Sequence, residues 1–215
     1  MGRANRTGFR NVMNGMNERT FHARDLHKLE DPQRLTWIPR DEVIARIGPS
    51  RGMTIADVGA GTGFFAIPFA QAVGDTGSIL AVDFQKEMLA GLGAKLSPPG
   101  APKNVTLVEG EASRTTLQGE CCDIVFMSNL WHELDDEPGV LREVHRLLRP
   151  GGRLAILDWR ADVPPPPGPP AAHRVSLGAL RDVLSRNGWP VDSAEHIGMY
   201  SHLLIAGRPA KDTGR

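Results

Sequence analysis

Apolar blocks and helical patterns alternate along the chain from about residue 40 onward. In Pro39-Arg-Asp-Glu-Val-Ile-Ala-Arg-Ile47, residues Val43, Ile44 and Ile47 share one helical face; Pro39 suits a first turn and Gly48-Pro49 ends it. Short apolar runs predict strands over Thr54–Val58, Ser78–Asp83, Asn104–Val108, Asp123–Met127 and Arg153–Leu157. Between them lie helical stretches over Phe64 to about Val73, Gln85–Lys95 and Asp136–Leu148. Continuously apolar strands joined by helices imply right-handed crossovers and a mostly parallel sheet covered on both faces. The expected fold is α/β: a doubly wound, Rossmann-like sheet.

The last third has another texture. Pro164 to Pro170 is nearly all proline, stiff and extended by composition. Ser176 to Asn187 reads as a helix with Leu177, Leu180 and Leu184 on one face and Gly188 as its stop. Val191–Ile197 and His202–Ala206 flank Gly198-Met-Tyr-Ser201 and predict a C-terminal hairpin, which adds an antiparallel edge to the sheet.

Composition narrows the function. The 215 residues suit a single domain, and 40% apolar residues supply a core. Lys plus Arg total 25 and Asp plus Glu total 25, so the basic excess of a nucleic-acid binder is missing. The one local excess is Arg3, Arg6 and Arg10, ahead of the first acid at Glu18; it reads as a flexible tail over residues 1–20, with a transit peptide as the other reading. Cys121 and Cys122 are adjacent, which suits neither a disulfide framework nor a zinc site, so a reducing, cytoplasmic setting and no metal are expected. No apolar run approaches the ~20 residues that span a membrane.

The chemistry-bearing segment is Asp57-Val-Gly-Ala-Gly-Thr-Gly63, between a predicted strand and a predicted helix. Its glycines admit a ligand close to the backbone, and the helix beyond presents free N–H groups. The spacing Gly59-x-Gly61-x-Gly63 is not the G-x-G-x-x-G of dinucleotide enzymes, and no Walker lysine follows. Asp83 ends the second strand, where an acid can accept both hydroxyls of a ribose.

These segments resemble the class I S-adenosylmethionine-dependent methyltransferases over roughly residues 37 to 207. Asp57–Gly63 is similar to their first motif and Ala81-Val-Asp83 to their second. Glu109-Gly-Glu-Ala112 resembles the third-strand loop, Asp123–Asn129 the fourth-strand motif, and Leu147–Leu154 the turn into strand five. Within the family the chain is most similar to the ubiquinone/menaquinone-type small-molecule group, through Lys28–Arg34, Asn129–Leu134 and Leu157-Asp-Trp159.

The resemblance implies S-adenosylmethionine as cofactor and S-adenosylhomocysteine as product. It places Asp57 at the cofactor's amino group, Gly59, Ala60, Gly61 and Gly63 under its methionine portion, and Asp83 on its ribose. Phe84 packs on the adenine, Glu111 and Ala112 meet its edge, and Asn129 lies near the methionine carboxylate or sulfonium. Glu111 stands where the family more often has Asp.

For catalysis, His132 follows strand four and titrates near neutrality, as a base should; a packing role beside Trp131 is the other reading. Asp158 ends strand five and faces the same crevice by topology. Glu133 and Asp135 read as part of the cap leading into the next helix. The expected division is residues 21–50 as lid and leading helix, 51–160 as cofactor-binding core, and 161–215 as pocket wall and hairpin. The partner is a small-molecule acceptor rather than nucleic acid or membrane, and monomer and homodimer both stay open. A catalytically silent cofactor-binding protein and a nicotinamide oxidoreductase remain the rival functions.

Overall fold

In the computed structural model, which describes residues 21–210 except Pro166, seven strands form one sheet. They are β1 (Thr54–Val58), β2 (Ser78–Asp83), β3 (Val105–Glu109), β4 (Cys122–Ser128), β5 (Leu148–Trp159), β6 (Val191–Ile197) and β7 (Ser201–Gly207). Their order is β3-β2-β1-β4-β5-β7-β6. The pairs from β3 through β5 are parallel; β5–β7 and β7–β6 are antiparallel. The expected fold and its C-terminal hairpin are therefore both present. The expected 1–20 tail and residues 211–215 fall outside the described part of the chain.

The helices are α1 (Arg34–Trp37), α2 (Arg40–Ile47), α3 (Ala66–Val73), α4 (Lys86–Leu96), α5 (Glu137–Leu147) and α6 (Leu177–Arg186). One face of the sheet packs Ile55, Phe126 and Leu203 against Val43 of α2 and Phe65 and Phe69 beside α3. Phe65 and Phe69 meet the Phe126 ring edge-on at 4.8 and 5.1 Å, the favoured aromatic geometry. The other face packs Met127, Ile156 and Leu204 against Val140 and Val144 of α5 and Leu184 of α6. Among the described residues no helix is long and apolar enough to cross a membrane.

Three boundaries move. Helix α3 starts at Ala66, because Gly63 at φ +85° prolongs the turn through Phe64. Strand β5 starts at Leu148 and runs through Arg149-Pro-Gly-Gly152, with a register irregularity against β4 between Cys122 and Ile124. Cys122, expected ahead of the fourth strand, is its first residue and fully buried. The chain leaves β1 outward through β2 to β3, then returns to the far side of β1 as β4. That reversal opens a crevice at the carboxyl ends of β1 and β4, where open α/β sheets bind ligands.

Candidate active site

The crevice floor is the turn after β1. Gly59, Gly61 and Gly63 all have positive φ, and the backbone folds on itself: the N–H groups of Gly59 and Ala60 both donate to Val82 O, at 2.8 and 3.0 Å. A Cβ on Gly59 would stand 2.9 Å from Leu130, and one on Gly63 would run into Leu92, so both positions need glycine. Asp83 Oδ2 accepts Gly61 N–H and its Oδ1 accepts Gln85 N–H, each at 2.9 Å. The carboxylate at the end of β2 thereby fixes the glycine turn while keeping lone pairs for a ligand.

Asp57 is 2% exposed. It takes a hydrogen bond from the backbone of Ala66, while its Oδ2 has no hydrogen-bond partner among the described residues. Burial, with the Asp83 charge adding to it, pushes its pKa up to about 7. Burial also raises Asp83, against hydrogen bonds that lower it. Ser128 Oγ and Asn129 Oδ1, at the end of β4, are likewise buried and unpartnered. Asn129 adopts φ +53°, a left-handed conformation that asparagine tolerates. Orphaned acceptors at two adjacent strand ends, over a backbone cradle, fit a ligand that brings an ammonium group and hydroxyls.

Phe84 is 37% exposed and shares with Glu109, Glu111 and Arg114 a groove of about 870 Å³ that continues along α5 to Arg142 and Arg146. Glu111 is exposed and pairs through its backbone with Arg114; Ala112 behind it is half-buried.

His132 and Asp158 come together. His132 Nδ1 lies 2.7 Å from Asp158 Oδ1, and the backbone N–H groups of His132 and Trp159 also donate to that carboxylate, at 3.1 and 2.7 Å. The ring is 4% exposed and Asp158 fully buried. An imidazole whose Nδ1–H is held by a carboxylate presents its basic Nε2 on the other side, and that atom stands 3.8 Å from Glu133 Oε1.

Glu133 is not a helix cap. Helix α5 starts at Glu137 with Pro138 in its first turn, and Asp136 caps it by accepting Gly139 N–H at 2.9 Å. Glu133 sits in the short 3-10 turn Trp131–Glu133, and burial pushes its pKa up to about 7.

The segment before α1 roofs the crevice. A 3-10 stretch, Ala23–Glu30, brings Leu29 within 3.5 Å of where a Gly61 Cβ would be and Leu26 within 3.6 Å of the same point on Gly91. Lys95 of α4 pairs with Glu30 at 2.7 Å and donates to Thr62 O at 2.9 Å. Phe21 ties both walls, accepting Gln85 Nε2 at 2.8 Å on its carbonyl and donating its N–H to the Glu133 carboxylate.

Two further residues carry no signal in a linear reading. His202 faces Asp158 across the β5–β7 register; it is 1% exposed, its Nε2 is unpartnered and burial lowers its pKa. Arg174 gathers the proline-rich segment, donating to the carbonyls of Arg160, Val163, Pro167 and Pro169. Proline carbonyls accept but their nitrogens cannot donate, so the segment depends on a donor from elsewhere. Only the strand register reveals the first residue and only the folded loop the second.

A sheet with a β5-β7-β6 antiparallel edge, a glycine turn and an acid closing β2 together define the class I methyltransferase fold. A family described as a methyltransferase domain matches residues 56–156. The SAM dependent methyltransferase of Aquifex aeolicus superimposes with a TM-score of 0.83 at 31% identity, over 88% of this chain and 100% of that one. The chain belongs to the S-adenosylmethionine-dependent methyltransferases.

The ubiquinone/menaquinone biosynthesis C-methyltransferase UbiE of Enterobacter sp. (strain 638) is 33% identical over 112 residues, 52% of this chain and 45% of that protein. The match thus spans less than half of that relative. The arsenic (III) S-adenosylmethionine methyltransferase of Chlamydomonas reinhardtii shares the fold alone, with a TM-score of 0.60 at 21% identity over 75% of this chain and 65% of that one. Cys121 and Cys122 are free thiols at the opposite end of β4 from the crevice, and burial raises the Cys122 pKa, away from the thiolate a metalloid needs.

Proposed function

We propose that this chain methylates a small molecule whose nucleophilic atom carries a removable proton, a hydroxyl or an activated carbon, with His132 as the base. The observation that carries the reading is the buried 2.7 Å bond from His132 Nδ1 to Asp158 Oδ1 at the carboxyl ends of β4 and β5. Methyl acceptors that arrive deprotonated need no such dyad. The relatives named as C-methyltransferases support an activated carbon as the acceptor atom.

Asp57 Oδ2 accepts from the cofactor's ammonium, with Gly59, Ala60, Gly61 and Gly63 admitting the methionyl chain and Asn129 Oδ1 facing its other side. Asp83 accepts from the ribose hydroxyls. Phe84 stacks on the adenine, and Glu111 and Ala112 bound its edge. The bound cofactor supplies a methyl carbon already activated by positive sulfur. His132 Nε2 takes the acceptor's proton, and Asp158 stabilises the imidazolium that results.

Residues 21–50 act as lid and leading helix and 51–160 as the cofactor half; 161–210, drawn together by Arg174, wall the acceptor pocket. Lids of this kind exclude water from the transfer. Free thiols at Cys121 and Cys122 suit a reducing cytoplasm.

Calorimetric titration with S-adenosylmethionine and S-adenosylhomocysteine, with NADH as control, tests the cofactor. Mass-spectrometric screening of phenolic and enolic acceptors tests the transfer. Selective binding of the sulfur nucleosides with methylated product supports the reading; binding of NADH alone overturns it.

A further inference from the structure

The lid carries a half-buried cation without a matching anion. The Arg34 guanidinium lies 4.1 Å from the centroid of the Phe64 ring, and its Nη1 donates to Leu29 O at 2.7 Å. None of the ion pairs among the described residues includes Arg34; Glu30, the acid that acts on it electrostatically, is taken by Lys95. Burial pushes its pKa down to about 10. Arg40 approaches the same ring at 5.4 Å, and its one acid, Asp41, is exposed. Two guanidiniums converging on one ring repel each other, and desolvating one without a counter-charge costs stability. Such a pair is favourable when an anion arrives with a ligand.

The position says which anion. Phe64 follows the glycine turn directly, and two residues on, the backbone of Ala66 bonds Asp57. Among the described residues, an acid with an unpartnered oxygen and a guanidinium without an ion pair thus flank the start of α3, the arrangement an α-amino acid zwitterion requires. The backbone of the turn offers little to a carboxylate, because the N–H groups of Gly59, Ala60, Gly61 and Gly63 are already committed to Val82 O, Asp83 Oδ2 and Ala60 O. The Leu29 carbonyl that Arg34 holds belongs to the residue lying over Gly61.

We propose that Arg34, backed by Phe64 and assisted by Arg40, binds the α-carboxylate of S-adenosylmethionine, so that the lid reads the methionyl end of the cofactor by charge. The proposal rests on the cofactor reading above. It makes lid closure and carboxylate recognition one event, since the residue that holds the lid backbone also holds the ligand.

The test titrates the full chain and its Arg34→Ala variant with S-adenosylmethionine and with decarboxylated S-adenosylmethionine, which lacks only the carboxylate. The wild-type chain is expected to prefer the intact cofactor by about 10–100-fold, the range of a charge-assisted bond, and Arg34→Ala to lose that preference while binding the decarboxylated form within about twofold of wild type. Arg34→Lys keeps the charge without the fork, so it retains part of the preference, and it replaces the alanine variant should that one not fold.

Equal loss for both ligands makes Arg34 a packing residue of the lid and overturns the proposal. So does unchanged binding of S-adenosylmethionine alongside a raised KM for the acceptor, which assigns the anion to the acceptor. A wild-type chain that binds neither ligand removes the cofactor reading and this inference with it, whereas binding without charge selectivity removes the inference alone.

Discussion

His132 Nδ1 and Asp158 Oδ1 stand 2.7 Å apart with side chains 4% and 0% exposed. The carboxylate accepts two backbone N–H groups besides, so its orientation is set by the chain and not by solvent. That rigidity suits a base that must present one nitrogen in one direction. Asp158→Asn offers His132 an amide N–H in place of an acceptor, which turns the imidazole to the tautomer with a protonated Nε2. Turnover is expected to fall by about 10²–10⁴-fold while S-adenosylmethionine affinity stays unchanged. Single-turnover kinetics with a proton-bearing acceptor measure this; a fall in cofactor affinity of the same size points instead to a collapsed crevice.

Asp57 is expected to govern the pH dependence of cofactor binding. Its folded pKa of about 7 lies above the ordinary 3.8, so the folded chain holds its proton more tightly than the unfolded chain. That contribution to stability is complete below about 4 and is lost as pH rises through 7. A cationic ammonium prefers the ionised carboxylate, so cofactor affinity is expected to climb with pH up to about 7 and to fall again once the ligand's α-amino group loses its proton at about 8. Binding at pH 6 should release close to one proton, whereas at pH 8 that release should give way to partial proton uptake by the ligand's amine. Calorimetry in two buffers of different ionisation enthalpy reads the difference, and equal heats at pH 6 would take Asp57 out of the ammonium site.

Asp83→Ala removes the proposed ribose acceptor and two bonds that hold the glycine turn and Gln85. Cofactor affinity is expected to weaken by roughly 1–3 kcal/mol, with a lower melting temperature in the ligand-free chain. Asp83→Asn keeps one acceptor oxygen and should sit between the two. An alanine variant that folds and binds S-adenosylhomocysteine as wild type contradicts the assignment.

The regular elements were largely open to a linear reading, because β1, β2, β4 and the second half of β5 are apolar runs separated by helical periodicity. The glycine turn was legible for a chemical reason, since few other residues permit that backbone, and Asp83 by its place at the end of β2. What stayed hidden depends on pieces of chain meeting. Asp158 opposite His202 follows from an antiparallel register, and Phe21 between Gln85 and Glu133 from a lid laid over two strands. Glu133, a cap by its place in the sequence, is a buried acid because it sits in the 3-10 turn after β4 while Asp136 caps α5.

Arg174→Ala should loosen the proline-rich wall, since the carbonyls of Arg160, Val163, Pro167 and Pro169 all lose their donor. Faster tryptic cleavage after Arg160 is the expected readout, together with a raised KM for the acceptor and unchanged S-adenosylhomocysteine affinity. A cleavage rate equal to wild type shows that the prolines hold their path unaided.

The double attachment of Phe21 bears on the tempo of the reaction. Residue 21 links both banks of the crevice, so release of a ligand lying on the glycine turn is expected to need both attachments to let go. Departure of the spent nucleoside is then expected to be paced by this paired release rather than by methyl transfer. Selection for faster turnover would then act first on residue 21 and its two moorings, Gln85 and Glu133.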